Sequence, residues 1–247
     1  LKNYNAVLLQ GDSANTTLFP YLFDLLANRA LNYFTSSDYE FTQMSTPVQT
    51  NSANYLIPTP EFANLKINPL NNKESFILSI FQKLISLHIK NNNTEALVDL
   101  DLRRLKYVEN NSNHSSDIGS KYISSLTYLA KKYNNHPVFV SIAFELANQY
   151  FIDGKNYSPK YNEDNKFNFV KADSICKLAL KQFPDVIGSN KCRNLSEQIN
   201  QVDFKFDIQV AQSPDSPTLS LIEFKNIDRL YFKVVVGNPK ANADRHN

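Results

Sequence analysis

Glycine is scarce in this chain: five residues in 247, with no local cluster. A phosphate-cradling loop needs several glycines close together so that the backbone can approach the phosphates, so nucleotide chemistry of that kind is excluded. Long apolar runs are missing too. No stretch of about eighteen apolar residues occurs, which removes a transmembrane helix. Neither charge dominates, with 26 Lys plus Arg against 24 Asp plus Glu and a net charge of +2. So small an imbalance argues against nucleic acid or an anionic membrane surface as the main partner. Cysteine occurs twice, at Cys176 and Cys192, and no second pair of Cys or His lies at ligand spacing, so no metal site is expected. The chain opens at Leu1 without Met and without a basic-then-apolar leader, so it is expected to be a mature segment whose targeting signal has been removed.

What is present is an ordinary apolar content of 42% and abundant asparagine. A chain of this length allows one large domain or one and a half smaller ones, and it can bury a core without staples. The runs Asn91-Asn92-Asn93 and Asn110-Asn111 fall between apolar segments and read as loops.

Helical spacing dominates the first four-fifths of the chain. Leu22, Leu25, Leu26, Ala30 and Tyr33-Phe34 recur at that period, with Pro20 suited to a first turn. Residues 35–72 carry Pro47, Pro58, Pro60 and Pro69 and read as a long loop with one short helix near "PEFANL". The next helix sets Phe76, Ile77, Ile80, Phe81, Leu84, Ile85 and His88 on one face. Thr94 is a candidate N-cap for a helix with Leu97, Leu100 or Asp101, Leu105 and Val108 inward. Two further helices carry Tyr122, Ile123, Leu126, Leu129, Ala130 and Tyr133, then Val138, Ile142, Ala143, Leu146, Ala147 and Tyr150. The last two cover roughly 164–182 and 188–202. Short links, "NNHP" and "FPDVIG", make antiparallel neighbours of successive helices. The two hairpins align loosely with one another, as tetratricopeptide-like repeats do.

From Phe204 the period changes to two. "FKFDIQV" places Phe204, Phe206, Ile208 and Val210 on one face, and "TLSLIEF" and "LYFKVVV" are further strand-like runs. The expected fold is therefore mostly α, with tetratricopeptide-like hairpins over 1–203 and a short antiparallel β segment of about three strands over 204–236. Residues 237–247 are expected to form a disordered tail. Three strands cannot close a sandwich, so Phe204, Phe206, Ile208 and Val210 are expected to pack on the helices or to pair with another chain, leaving a candidate interaction surface and an open edge.

The two cysteines lie eight residues before and eight residues after Pro184. In an antiparallel hairpin that symmetry sets them at one height. Both a disulfide and a pair of reduced, buried thiols suit this spacing.

No cluster reads as catalytic. His88 lies on an apolar helix face and suits a core role, while His114, His136 and His246 are scattered, and none has a Ser or Cys partner arranged by motif. Asp99 and Arg103 stand four apart on a helix and suit an ion pair. Asp99 and Asp101 are two apart and do not face each other, so with Arg103 and Arg104 they read as a structural ion-pair network. Tyr122, Tyr128, Tyr133, Tyr150, Tyr157 and Tyr161 offer either helix packing or the lining of a peptide groove. No enzyme activity and no cofactor is expected.

Four segments, "LFDLLANRALNYF", "ALVDLDLRRLKYV", "KADSICKLALKQFPDVIGSNKCRNLSEQI" and "SPTLSLIEFKNIDRLYFKVV", together resemble the N-terminal region of large alpha-macroglobulin-like proteins of the Bacteroidetes type. The resemblance spans about 18–236 and rests most on the two-cysteine hairpin and the β run after it. It implies a helical region leading into macroglobulin-type β-sandwich domains. It also implies a periplasmic or cell-surface location, with lipoprotein anchoring in the full-length form, and a role in a protease trap. Outside the cytoplasm a disulfide between Cys176 and Cys192 is favoured.

Some family features are missing. A thioester needs a Cys-x-Glu-Gln element, and neither "SICKLA" nor "NKCRNL" supplies one. No bait region is found, and "GNPKANADRHN" does not look like the family's continuation. The resemblance therefore implies a non-catalytic scaffold that positions other domains of the same larger protein. The alternative is an independent helical repeat module that binds peptides or proteins, proteases among them.

Overall fold

A computed structural model describes residues 17–35, 52–67, 73–112, 116–209 and 217–233. The described chain is mostly helical, with eight α-helices and one small antiparallel sheet. It divides into two compact units, residues 1–196 and 197–247.

The first unit holds α1 (Leu22–Thr35), α2 (Thr59–Asn64), α3 (Lys73–Lys90), α4 (Thr94–Asn110), α5 (Ser116–Lys132), α6 (Phe139–Lys155) and α7 (Asn168–Gln182). It also holds most of α8 (Ser189–Asn200), and short 3₁₀ turns at Ser52–Tyr55 and Glu163–Asn165. From α3 to α7 each helix packs on the next, while α1 and α2 both lie against α3. Helix α4 is central. It buries Ala96, Val98, Leu100, Asp101, Leu102, Arg104, Leu105 and Val108, because α3, α5, α6 and the first 3₁₀ turn all touch it. A helix buried on several sides cannot show a single clean stripe, which is why Leu100 and Asp101 both face inward.

The core joins Ile77, Leu78, Phe81, Leu84 and Ile85 of α3 to Leu105 and Val108 of α4, Leu126 and Leu129 of α5, and Ile142 of α6. Each such side chain taken fully out of water contributes about 1.5–3 kcal/mol. The buried face of α3 is turned from the predicted one. Leu78 is buried, whereas Phe76 is exposed and rests its ring edge-on against Phe34 at 4.8 Å.

The asparagine run between α3 and α4 has a specific physical use. Asn92 takes a left-handed backbone at φ 51°, which asparagine tolerates better than most residues. Asn93, not the predicted Thr94, is the N-cap of α4, accepting a hydrogen bond from the Ala96 amide at 3.1 Å. Helices α6 and α7 pack closely over small residues: Ala143, Ala147 and Gly154 are buried on one, Ala172 and Ala179 on the other. A Cβ at Gly154 would lie 3.2 Å from the Phe169 ring.

In the second unit β1 (Asp203–Ile208) pairs antiparallel with β2 (Ser220–Lys225). The register sets Phe204 opposite Phe224, Phe206 opposite Ile222 and Ile208 opposite Ser220. These six share one face, and Asp203–Lys225 and Lys205–Glu223 are pairs on the other. The sheet has two strands among the described residues. Leu230 to Lys233, the start of the expected third strand, carry no strand, and Val234 to Val236 lie outside the described residues, as does the tail at 237–247. Asn226, again left-handed, donates through its amide to the carbonyls of Ile199 (2.8 Å) and Gln201 (3.0 Å).

Candidate functional site

The most concentrated polar chemistry lies inside the helical unit. Asp101 and Arg104, one turn apart on α4, are both buried and lie 2.7 Å apart. The Arg104 Nε donates to Asp101 Oδ1 at 2.8 Å, and the Thr59 hydroxyl donates to Asp101 Oδ2 at 2.6 Å. Arg104 also donates to the carbonyls of Tyr55 and Ile57 and lies 4.3 Å over the Phe62 ring. Ser125 donates to the Leu56 carbonyl at 3.0 Å. The carbonyls of residues 55–57 thus accept hydrogen bonds from α4 and α5, and Thr59 donates one back to α4. A charge kept from water requires such saturation.

A second buried pair joins α1 to α3. His88 Nε2 lies 3.1 Å from Asp24 Oδ1, and both side chains are wholly enclosed. Asp24 Oδ2 accepts from the Tyr21 amide at 2.9 Å. Further along, Asn28 and Asn32 of α1 accept from the Arg103 guanidinium. Three polar side chains of α1, spaced four apart, therefore dock it through hydrogen bonds. His88 is a core residue, as expected, but Asp24 was not legible as its partner because 64 residues separate them.

The expected Asp99–Arg103 pair forms at 3.8 Å on a partly exposed face. Desolvation pushes the Asp99 carboxyl above the usual carboxylate range, against the pull of Arg103 and Lys191. Asp101 does not join it but faces Arg104, so the expected quartet is two separate pairs. His136 Nδ1 accepts from the Val138 amide at 3.3 Å, and His114 and His246 lie outside the described residues. Among the tyrosines, Tyr122 is buried in the core and Tyr161 stands almost fully exposed, so those two do not line one groove. Among the described residues, no three His, Cys, Asp or Glu side chains converge where they could hold a metal ion. Likewise, no helix among them is long and apolar enough to cross a membrane.

Two sequence-flagged sets are brought together. Cys176 and Cys192 are wholly buried thiols in hydrogen-bond contact, and Cys192 Sγ also lies 3.7 Å from the Val140 carbonyl. Phe204, Phe206 and Ile208 share one ribbon face and are 47%, 41% and 50% exposed, whereas Val210 lies outside the described residues. Ile222 and Phe224 complete that face from β2, and Phe232 sets its ring 6.2 Å from that of Phe206. The period-two pattern of "SLIEF" was the signal for Ile222 and Phe224; which face they share with β1 depends on register, which the sequence does not print. The helical unit carries a shallow groove of about 490 Å³ lined by Phe23, Ala63, Gln82, Leu87, Lys83 and Lys90.

Neither a protein-family model, nor a curated protein, nor a solved structure matches this chain.

Proposed function

We propose that this chain is a non-catalytic scaffold, and that its ribbon docks against a macroglobulin-type β-sandwich domain of the same larger, alpha-macroglobulin-like protein. One observation carries the reading: an amphipathic two-stranded ribbon with Phe204, Phe206, Ile208 and Phe224 open to water on one face. Clustered apolar side chains of this kind mark interaction surfaces. Both ribbon strands also have an unpaired side among the described residues, where a neighbouring sheet can add backbone hydrogen bonds. The buried charges support the same reading, since Asp101, Arg104 and Asp24 are held by hydrogen bonds within the helical unit. The short turns joining α5 to α6 and α7 to α8 support a tetratricopeptide-like arrangement. The resemblance in sequence carries the compartment, periplasmic or surface-anchored.

The test is hydrogen exchange on the chain alone and mixed with recombinant β-sandwich domains of such a protein. The amides from Phe204 to Ile208 are expected to gain protection on mixing, and a Phe204→Ser, Phe206→Ser variant to gain none. Unchanged exchange in the unaltered chain overturns the reading.

A second reading, a peptide-binding helical module, draws on the groove. Its apolar floor and its two lysines suit a peptide carrying apolar and acidic residues. Saturable binding of such a peptide, lost in Lys83→Glu, with no ribbon protection in the first experiment, would favour it.

A further inference from the structure

We propose that Cys176 and Cys192 form an intramolecular disulfide that locks α7 to α8. The inference stands apart from the docking role of the ribbon. The turn between the helices spans residues 183–188. Gly188 adopts φ +101°, and the Ser189 hydroxyl reaches back to the Phe183 carbonyl at 2.9 Å. One turn further from that bend, the Ser196 hydroxyl donates to Asp173 Oδ1 at 2.6 Å. This rung fixes how the two helices are rotated about their axes. With Asp173 facing Ser196, Cys176 faces Cys192, and the two sulfurs meet in a site closed to solvent. The chain holds no other cysteine, so each has a single intramolecular partner.

The Cys176 S–H donates to Cys192, so the two sulfurs face one another in the folded hairpin. The oxidant is a low-molecular-weight disulfide of the glutathione class. One of the two cysteines, as its thiolate, attacks one of the oxidant's sulfurs and displaces a thiolate. The other cysteine, giving up its proton, then attacks the protein sulfur of that mixed disulfide and displaces the second. Two protein thiols are oxidised, one external disulfide is reduced to two thiols, and the two protons end on those thiols. Because both sulfurs are buried, exchange takes place while the hairpin is open, and the closed bond is shielded from reductant.

The test is to unfold the full chain in reductant, refold it in a mixed oxidised and reduced glutathione buffer, and alkylate it in denaturant. The expected product carries no alkyl group and is two hydrogens lighter than the reduced chain by intact mass. It is also expected to melt roughly 5–10 °C above its reduced form, a difference absent from the Cys176→Ser, Cys192→Ser double variant. Two alkylated cysteines after refolding, a glutathione adduct, or a bond between chains would each overturn the proposal. The mass measurement uses the unaltered chain, so it holds even if the double variant fails to fold.

Discussion

In the helical unit a guanidinium, two carboxylates and an imidazole lie entirely out of water. In the ribbon unit Phe204, Phe206, Ile208 and Phe224 stand between 41% and 58% exposed. The usual placement of polar and apolar groups is thus inverted in each unit, at two buried pairs in the helical one and on one face of the ribbon. Enclosing charges is tolerable only where hydrogen bonds saturate them, and Asp101 and Arg104 between them hold Thr59, Tyr55 and Ile57. Leaving rings in water carries no such requirement, but it leaves a surface whose burial remains favourable. The helical unit has spent its polar chemistry on itself, and the ribbon has apolar surface still to cover.

The sharpest way to break this contrast is Asp101→Ala, which leaves the Arg104 guanidinium buried without its carboxylate. A loss of about 3–5 kcal/mol is expected, read by chemical denaturation. Next comes the turn: Gly188→Ala forces a side chain into a left-handed backbone and is expected to cost about 1–2 kcal/mol by the same measurement. On the ribbon, Phe206→Ser should change the melting of the helical unit by less than about 0.5 kcal/mol, while reducing the binding of a hydrophobic fluorescent dye. A large stability loss there would show that Phe206 is a core residue and would erase the comparison.

The smallest effect belongs to Asp99. Its folded-state carboxyl holds a proton more tightly than the unfolded chain does. Its contribution to stability is therefore fully present below the ordinary carboxylate pKa of about 4 and is lost as pH rises through the folded value. The Asp99→Asn variant is expected to lack that loss and to match or slightly exceed the unaltered chain at neutral pH, within about 2 °C of melting temperature.

Much of this was legible because it is local. The short helix at "PEFANL" announces itself through Pro60 and Phe62, the change of period at Phe204 marks the strands, and His88 sits where its helix face requires. Illegible parts depend on distance along the chain or on register. Asp101 reads as an interruption in an apolar stripe until Thr59, 42 residues away, is placed beside it. Asp24 has no visible task until His88 arrives. Thr94 has the chemistry of a cap, but Asn93 reaches the Ala96 amide, a difference of one residue that backbone geometry decides. The ribbon's apolar face was readable on β1, whereas its second half waited on the pairing with β2.

The bond from Thr59 to Asp101 has a consequence for the order of folding. Helices α3 to α7 each meet their successor in sequence, so their contacts close small loops and can form quickly. Thr59 and Asp24 reach partners 42 and 64 residues away, and ordering so much intervening chain delays them. The helical stack is expected to assemble first, and helix α1 and the strap at 55–59 to latch afterwards. Until the strap does, the guanidinium of Arg104 stays hydrated, and its latching expels that water.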